Sequence, residues 1–255
     1  MVFLLKNERL SKIVKLVNEN GIITVTALVK ELNVSTMTIR RDLEELDKTG
    51  QIIRIHGGAE SKLSTISKNE LTYTQKKKLN VEEKKAIAKV VASMIKEDET
   101  IYIGPGSTNE FVPMYCTQKN MRIITNSLPV FNSFNELHDY EVTLIGGIFR
   151  NKSGAFIGQI TSDTLKQLRV NKAFVSVNGI NGNTLMNASP EEGNTQKIAL
   201  ENADRRFIVA DFSKFNHSDF FNFWDLKDID AIITDNKLDN SLRKQYEEKV
   251  AIIQP

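Results

Sequence analysis

Apolar residues recur with a helical period over the first part of the chain. They lie on one side of a helix from about residue 6 to residue 19, and Asn20-Gly21 is a typical helix end. A second helix follows a short β-branched segment, and Ser35 is placed to cap a third helix that runs to about Lys48. We expect the third helix to bury Met37, Leu43 and Leu46.

The period changes from helical to alternating after the third helix. Residues 51–56 alternate as a strand does, and Gly57-Gly58-Ala59 can turn the chain back into a hairpin. Three helices followed by a hairpin make a winged helix-turn-helix, in which the third helix enters the major groove of a DNA duplex. The pattern therefore predicts a winged helix-turn-helix domain over residues 1–60.

The third helix and the hairpin carry side chains suited to a DNA duplex. Short polar side chains at a helix start can reach base edges or phosphates, and arginine binds phosphate or guanine with two hydrogen bonds. The predicted DNA-contacting residues are Ser35, Thr36, Thr38, Arg40, Arg41, Arg54 and His56. Two alternatives stay open. Asp42, Glu44 and Glu45 could make this helix an ordinary solvated face with ion pairs, and such units also serve in dimerisation.

Segments with the character of helices and strands alternate from residue 81 to residue 255. The strand-like apolar runs are Thr100–Ile103, Arg122–Thr125, Val142–Ile145, Ala173–Val177, Phe207–Ala210 and Ala231–Thr234. Such alternation predicts an α/β domain with a mainly parallel sheet covered on both faces. Residues 61–80 are polar and predict a linker, whose basic run Lys76-Lys77-Lys78 is either a solvated tether or a support for phosphate contact.

The loops that follow the strand-like runs carry groups that bind anions. In a parallel sheet these loops meet at the carboxyl edge, where ligands bind. Glycines let the backbone approach a phosphate, and hydroxyls and helix N-terminal amides donate hydrogen bonds to it. The loops predict a phosphate pocket with polar groups for a polyol, formed by Gly104, Gly106, Ser107, Thr108, Asn126, Ser127, Gly146, Gly147, Arg150, Lys152, Asn178, Asp211 and Lys214. Each loop alone also fits a tight turn, a helix cap at residues 125–127, or an Asp211–Lys214 ion pair.

Composition narrows the classes of function. The net charge of +2 over 255 residues is close to neutral, so a DNA-binding surface must be local. A single cysteine, Cys116, excludes an intrachain disulfide framework, and the three histidines lack metal-ligand spacing. The loop at residues 104–108 has no lysine of the Walker type, which argues against nucleotide hydrolysis. We expect no metal, no cofactor, no membrane span and no secretory signal, and hence a cytoplasmic protein.

One spaced set of residues resembles a known family. Arg9-x-x-x-Ile13-x-x-x-Val17, followed by Ser35-x-x-Thr38-Ile39-Arg40-Arg41-Asp42-Leu43, resembles the helix-turn-helix signature of the DeoR-type transcriptional regulators. Residues 55–59 resemble the wing of that family. The resemblance implies a bacterial regulator of sugar metabolism, most often a repressor, which binds double-stranded operator DNA as a homodimer or homotetramer.

The second half resembles the DeoR sensor domain, which is similar in fold to ribose-5-phosphate isomerase and coenzyme A transferases. The resemblance assigns loop residues named above to a sugar-phosphate pocket over residues 81–255 and adds Glu192 to them. Gln196 stands where many members have a lysine, which points to a subgroup. Segments 103–108 and 125–131 resemble regulators of lactose and galactose utilisation, for which the family implies tagatose 6-phosphate as effector.

The sequence thus predicts a ligand-controlled repressor rather than an enzyme, in which a sugar phosphate bound in the second domain releases the operator. Other interpretations stay open. A sugar-phosphate isomerase could use Glu192 or Asp211 as general base and Lys214 to polarise a carbonyl. A constitutive DNA-binding protein would use its second domain only to oligomerise, and a related regulator would sense another metabolite such as fructose 1-phosphate.

Overall fold

The computed structural model of the chain describes residues 6–20, 22–55, 57–61, 70–137 and 140–255. The chain divides into two compact units between Lys68 and Asn69, inside the segment predicted as a linker. Of that segment, Ser61 ends a strand of the first unit, and the described residues resume at Glu70 and include a helix whose start has a complete capping box between Thr72 and Gln75. Residues 70–80, predicted as linker, therefore belong to the second unit.

The first unit is a winged helix-turn-helix, as predicted. Its helices are α1 Lys6–Asn20, α2 Val25–Leu32 and α3 Thr36–Lys48, and its strands are β1 Ile22–Thr24, β2 Ile52–Ile55 and β3 Gly58–Ser61. The strands form an antiparallel sheet in the order β1-β3-β2. Asn33 has left-handed backbone angles in the turn, and Ser35 Oγ accepts a hydrogen bond from Thr38 N. This cap begins α3 where the sequence predicted it.

The buried face of α3 differs from the prediction at one position. Ile39, Leu43 and Leu46 are buried, whereas Met37 is 59% exposed. Residues spaced by three and four lie on one face of a helix, and a residue two positions before Ile39 lies almost opposite. The prediction for Met37 was wrong because the buried stripe begins at Ile39.

A buried ion pair joins the first helix to the third. Asp42 is only 3% exposed, and the Arg9 guanidinium donates to both of its carboxylate oxygens, at 2.6 Å from Nε and 3.0 Å from Nη2. Two parallel hydrogen bonds fix both distance and orientation. Arg9 therefore holds α1 against the back of α3, and Asp42 is not available to a ligand.

The second unit is built on a seven-stranded sheet in which every neighbouring pair is parallel. The strands of this unit are β4 Thr100–Ile103, β5 Arg122–Thr125, β6 Glu141–Leu144, β7 Ile148–Arg150, β8 Ala155–Ile157, β9 Val170–Ser176, β10 Gly179–Asn181, β11 Thr184–Asn187, β12 Ala203–Val209, β13 Phe221–Asp225, β14 Ala231–Ile233 and β15 Ala251–Ile253. The parallel sheet has the order β15-β14-β12-β9-β4-β5-β6. The α/β prediction is confirmed, and β15 is a strand that it missed.

Helices cover both faces of this sheet. They are α5 Val81–Met94, α6 Leu128–Leu137, α7 Gln159–Lys166, α8 Pro190–Glu201 and α9 Asn240–Glu247, and a short helix, α4 Tyr73–Lys78, precedes them. Ile101 and Ile103 lie in an apolar cluster with residues of α5 and α6, whereas Tyr102 lies in a second cluster with residues of α7, α8 and α9. Successive side chains of β4 therefore point alternately into the helix layers on the two faces of the sheet. Among the described residues no helix is long and apolar enough to span a bilayer.

Replacing Asp42 by Asn is expected to destabilise the first unit by about 3 kcal/mol, because it leaves the Arg9 guanidinium without its carboxylate in a mostly buried position. Hydrogen exchange of the α3 amides in the full chain measures this loss. The matched control is Glu44→Gln, which removes a carboxylate from an exposed ion pair with Lys48 on the same helix and should change protection little. Equal protection in Asp42→Asn and the wild type would contradict a stabilising role.

Candidate functional site

The outer face of α3 presents most of the residues predicted to contact DNA. The exposed ones are Ser35, Thr36, Arg40, Arg41 and Arg54. Thr38 is half-buried, and its hydroxyl lies 2.9 Å from Ser35 Oγ, so it supports the cap. His56 lies outside the described residues. Met37 adds an exposed apolar side chain to this face, which the sequence analysis did not foresee.

Most acidic residues of α3 do not compete with a phosphate for its arginines. Three of the four pair with a base of the same unit, Asp42 with Arg9, Glu44 with Lys48 and Glu45 with Lys6, whereas Asp47 accepts a hydrogen bond from the backbone N–H of Arg54. Arg40 and Arg41, by contrast, make no ion pair with another described residue. The alternative of an ordinary solvated face with ion pairs therefore agrees with the paired acids. It does not explain why Arg40 and Arg41 lack such partners in the described part of the chain.

A cleft of about 600 Å³ separates α3 from the hairpin, and Arg40 and Arg54 both line it. Asp47 also lines the cleft, and its Oδ1 accepts a hydrogen bond of 2.9 Å from the backbone N–H of Arg54. This bond fixes the hairpin to the end of α3. The two arginines thus approach the cleft from different elements, an arrangement that suits a polyanion.

The second unit collects its predicted residues at the carboxyl edge of the parallel sheet. Arg150, at the end of β7, donates two hydrogen bonds to the Glu70 carboxylate, at 3.0 Å from Nη1 and 2.5 Å from Nη2. Its Nη1 also lies 3.2 Å from Glu192 Oε1, in the first turn of α8. Burial raises the pKa of Glu192, and the Ser153 hydrogen bond and the Arg150 charge oppose the change. One guanidinium therefore holds two carboxylates.

Lys76 connects this group to the end of β9. Its Nζ lies 3.1 Å from Glu70 Oε1 and 3.2 Å from Asn178 Oδ1. Burial alone would raise the pKa of Glu70, but the hydrogen bonds and charges of Arg150 and Lys76 outweigh it and lower that pKa. Glu70 is therefore an ionised carboxylate between two bases.

A second group of charges lies at the end of β12. Asp211 is buried, and its Oδ1 accepts hydrogen bonds from Asn80 Nδ2 at 3.1 Å and from Ser213 N at 3.0 Å. Lys214 forms no ion pair with Asp211, so the alternative of an Asp211–Lys214 ion pair is not realised. The negative charge of Asp211 nevertheless favours the charged form of Lys214. Burial lowers the pKa of Lys214, and the charge of Lys76 lowers it further.

Lys84 completes a cluster of three lysines, defined here as Lys76, Lys84 and Lys214. Lys84 is only 3% exposed and donates a hydrogen bond to the Lys76 carbonyl oxygen. Burial lowers its pKa to about 8; Asp211 opposes that shift, and Lys214 and Lys76 add to it. Because Lys76 disfavours the charge of both Lys84 and Lys214, an anion placed among the three would stabilise that charge.

The glycine loop at residues 104–108 packs tightly but is not followed by the expected α-helix. A Cβ at Gly106 would lie 2.2 Å from Ser176 Oγ, so only glycine fits there. The segment Asn109–Tyr115 is a 3-10 helix, and no side chain caps it. Ser176 Oγ and Asn109 Oδ1 are buried without a hydrogen-bond partner in the described residues. A helix N-terminus therefore contributes little to anion binding at this loop. The donors that it can offer to an anion are its backbone N–H groups and its hydroxyls.

Two other predicted pocket residues have structural partners. Asn126 Oδ1 accepts from Tyr102 Oη at 2.7 Å, and Asn126 Nδ2 donates to the Phe156 carbonyl at 2.7 Å. Ser127 is fully buried and its Oγ accepts from Val130 N in the first turn of α6. The helix-cap alternative for this loop is thus satisfied, and a ligand role for these two side chains stays a prediction.

The remaining predicted residues lie around the β7–β8 hairpin. Gly146 and Gly147 are exposed, and a Cβ at Gly147 would lie 2.1 Å from Thr161 Oγ1, so this glycine is required for packing against α7. Lys152 is exposed in the hairpin turn and makes no ion pair with another described residue. The structure therefore brings together Arg150, Asn178, Glu192, Asp211 and Lys214 but not Lys152.

Comparison with known proteins agrees with this two-part organisation. Residues 9–65 match the DeoR-like helix-turn-helix domain, and residues 79–236 match the DeoR C terminal sensor domain. The chain belongs to the DeoR family. It is 40% identical over 241 residues to the lactose phosphotransferase system repressor of Streptococcus mutans, covering 94% of this chain and 96% of that relative. A repressor of the same name from Lactococcus lactis is 40% identical, covering 97% of this chain and 98% of its own.

Solved structures resemble this DeoR-family chain only weakly. Ribose 5-phosphate isomerase A from Neisseria gonorrhoeae has a TM-score of 0.39 at 17% identity and covers 52% of each chain. A transcriptional regulator from Streptococcus pneumoniae TIGR4 has a TM-score of 0.38 at 12% identity, covering 65% of this chain and 85% of its own. Scores of this size carry no argument about activity.

The sequence analysis missed three charged residues that join the predicted ones at this edge of the sheet: Glu70, Lys76 and Lys84. Lys76 was noted only as part of a basic run, and Glu70 was assigned to the linker. A signal for Lys84 does exist, since it precedes Ile87, Ala88 and Val91 by three, four and seven positions on the buried stripe of α5. A lysine on an apolar stripe indicates that an anion or a polar group meets it inside.

Replacing Lys84 by Met is expected to raise the free energy of unfolding of the sensor domain at pH 7 by about 1–2 kcal/mol, because it removes the cost of charging a buried amine. The pKa of Lys84 is about 8 in the folded chain and its ordinary value is 10.5, so the folded wild type bears this cost in full below pH 8. The cost disappears as the pH rises toward 10.5, and the advantage of the variant should shrink over the same range.

Urea titrations of the full chain between pH 7 and pH 10 measure this difference. The matched control is Lys89→Met, which changes an exposed lysine of the same helix and should leave the pH dependence unaltered. A Lys84→Met difference that does not vary with pH would contradict a depressed pKa in the folded chain.

Proposed function

We propose that this chain is a repressor of a lactose-utilisation operon that binds operator DNA through its first unit and is released by a sugar phosphate, tagatose 6-phosphate. The relatives that are named lactose phosphotransferase system repressors match it over nearly their whole length. One observation carries the proposal: the chain combines a helix face on which Arg40 and Arg41 form no ion pair with another described residue and a sheet edge that carries the lysine cluster. A polyanion and a small anion are the ligands that these two surfaces suit.

The recognition of DNA is assigned to α3 and the hairpin. Thr36, Met37 and Arg40 stand on the exposed face of α3, where a polar side chain, an apolar side chain and a guanidinium can read base edges. Arg41 and Arg54 contact phosphates in this proposal. A homodimer or homotetramer would place two such helices on the half-sites of a two-fold symmetric operator.

The recognition of a sugar phosphate is assigned to the carboxyl edge of the parallel sheet. The phosphate binds among the lysine cluster, with the hydroxyls and backbone of residues 104–108 as further donors. Asn178 and Asp211 are hydrogen-bonding partners for sugar hydroxyls. To move the operator from mostly bound to mostly free, the ligand must favour the released state by roughly 5 kcal/mol.

Replacing Arg40 by Ala is expected to weaken operator binding by about tenfold to a hundredfold, because one arginine contact to a base or phosphate is lost. A fluorescence-anisotropy titration at fixed salt measures it, with a duplex that the wild-type protein selects from a random pool. Arg243→Ala is the matched control, since it removes a partly exposed arginine of α9 that pairs with Glu247. Unchanged operator affinity in Arg40→Ala would overturn the assignment of α3.

Tagatose 6-phosphate is expected to raise the melting temperature of the wild type, as any ligand specific for the folded state does. Lys214→Met should lose this shift, because it removes one cation of the lysine cluster, and Lys152→Met should keep it. Differential scanning fluorimetry with tagatose 6-phosphate, fructose 1-phosphate and tagatose makes the comparison. A shift caused equally by unphosphorylated tagatose would argue against a phosphate site.

An isomerase is the second candidate, because the pocket holds a carboxylate with a raised pKa, Glu192, and an amine with a lowered pKa, Lys214. A carboxylate and an amine whose pKa values are shifted toward each other suit general acid–base chemistry. Incubation of the full chain with pentose and hexose phosphates, followed by chromatography of the products, tests it. Turnover that Glu192→Gln abolishes would establish the enzyme and replace the proposal of a repressor alone.

A further inference from the structure

Helix α4 is attached to the sensor domain by polar contacts rather than by an apolar core. None of its residues is buried. Tyr73 Oη and Lys77 Nζ both donate to the Glu110 carboxylate, the latter at 2.8 Å, and Lys76 reaches Glu70 and Asn178. Contacts of this kind can be exchanged for contacts with another ion without opening a packed core.

The Glu70 carboxylate has the surroundings that a phosphate would have. Its side chain is 5% exposed, both of its oxygens accept from Arg150, and Oε1 also accepts from Lys76. Two oxygens on a guanidinium fork and a third contact from an ammonium group are the usual arrangement around a bound phosphoryl group. The Glu70 carboxylate of the chain itself therefore occupies a position at the sheet edge that suits an anion.

Resting on the proposed function, we propose that the ligand's phosphate binds where the Glu70 carboxylate now lies, between Arg150 and the Lys76 member of the lysine cluster. It displaces Glu70 and opens the capped start of α4 at residues 72–75, while Lys76 in the last turn of α4 stays on the phosphate. The phosphate has a greater negative charge than the Glu70 carboxylate, so it binds Lys76 and Arg150 more strongly and replaces that carboxylate. Glu192 keeps its contact with Arg150. Glu70 stands two residues after the division at Lys68, so its displacement acts directly on the segment that joins the two units.

The competition is tested by calorimetric titration of the full chain with tagatose 6-phosphate and with inorganic phosphate. Glu70→Gln should bind both about tenfold more tightly than the wild type, because the competing charge is removed while the shape of the side chain is kept. Glu97→Gln, which changes an exposed glutamate in the turn after α5, should bind like the wild type. Equal or weaker binding by Glu70→Gln overturns the inference, and weaker binding would make Glu70 a ligand-binding residue.

Displacement of Glu70 and of the start of α4 is tested independently by hydrogen exchange of the wild type, which needs no variant. The amides of residues 70–75 should exchange at least severalfold faster when tagatose 6-phosphate is bound, while those of α5 should not. Slower or unchanged exchange in residues 70–75 overturns the displacement. If neither the wild type nor Glu70→Gln binds either phosphate compound, the proposed function fails as well; if the wild type binds and these two comparisons fail, only this inference falls.

Discussion

Burial of ammonium groups close to one another is the constraint on which the sensor domain depends. Lys84 lies on the apolar stripe of α5, and neither it nor Lys214 makes an ion pair with a carboxylate of the described residues. Such charges are costly away from water unless an anion compensates them. The chain compensates in part by setting Glu70 on Lys76 and Arg150 and by holding Asp211 nearby. Functional sites commonly retain such unfavourable interactions at a cost in stability.

The first unit meets the opposite requirement, because it must keep its cations free. Asp42 pairs with Arg9 inside the unit, and Glu44 and Glu45 pair with lysines, which leaves Arg40 and Arg41 to an external polyanion. Coupling between the units needs a ligand that binds one conformation of the chain better than another. A segment held by exchangeable charges, such as residues 70–80, can supply two conformations that differ little in free energy, whereas a packed core cannot.

Local pattern alone was enough for much of the fold. The helical period and the Ser35 cap predicted α1 and α3 within one residue, since both depend on interactions within a few positions. The six apolar runs predicted strands of the parallel sheet because a strand covered on both faces must be apolar throughout. The loops after those strands then had to meet at one edge, and Arg150, Asn178 and Asp211 do belong to the charged groups there.

What the sequence by itself determined is therefore which residues share a face of one element and which loops share an edge of the sheet. Only the tertiary structure decided which distant groups meet them. Arg150 and Glu70 are 80 residues apart, and the sequence around Glu70 does not predict that Arg150 binds it. Asn126 was expected to face a ligand, but Tyr102 and Phe156 already use its amide. The physical reason is that a side chain's charge and hydrogen bonds are satisfied by neighbours in space, and those neighbours come from other elements once the chain has packed.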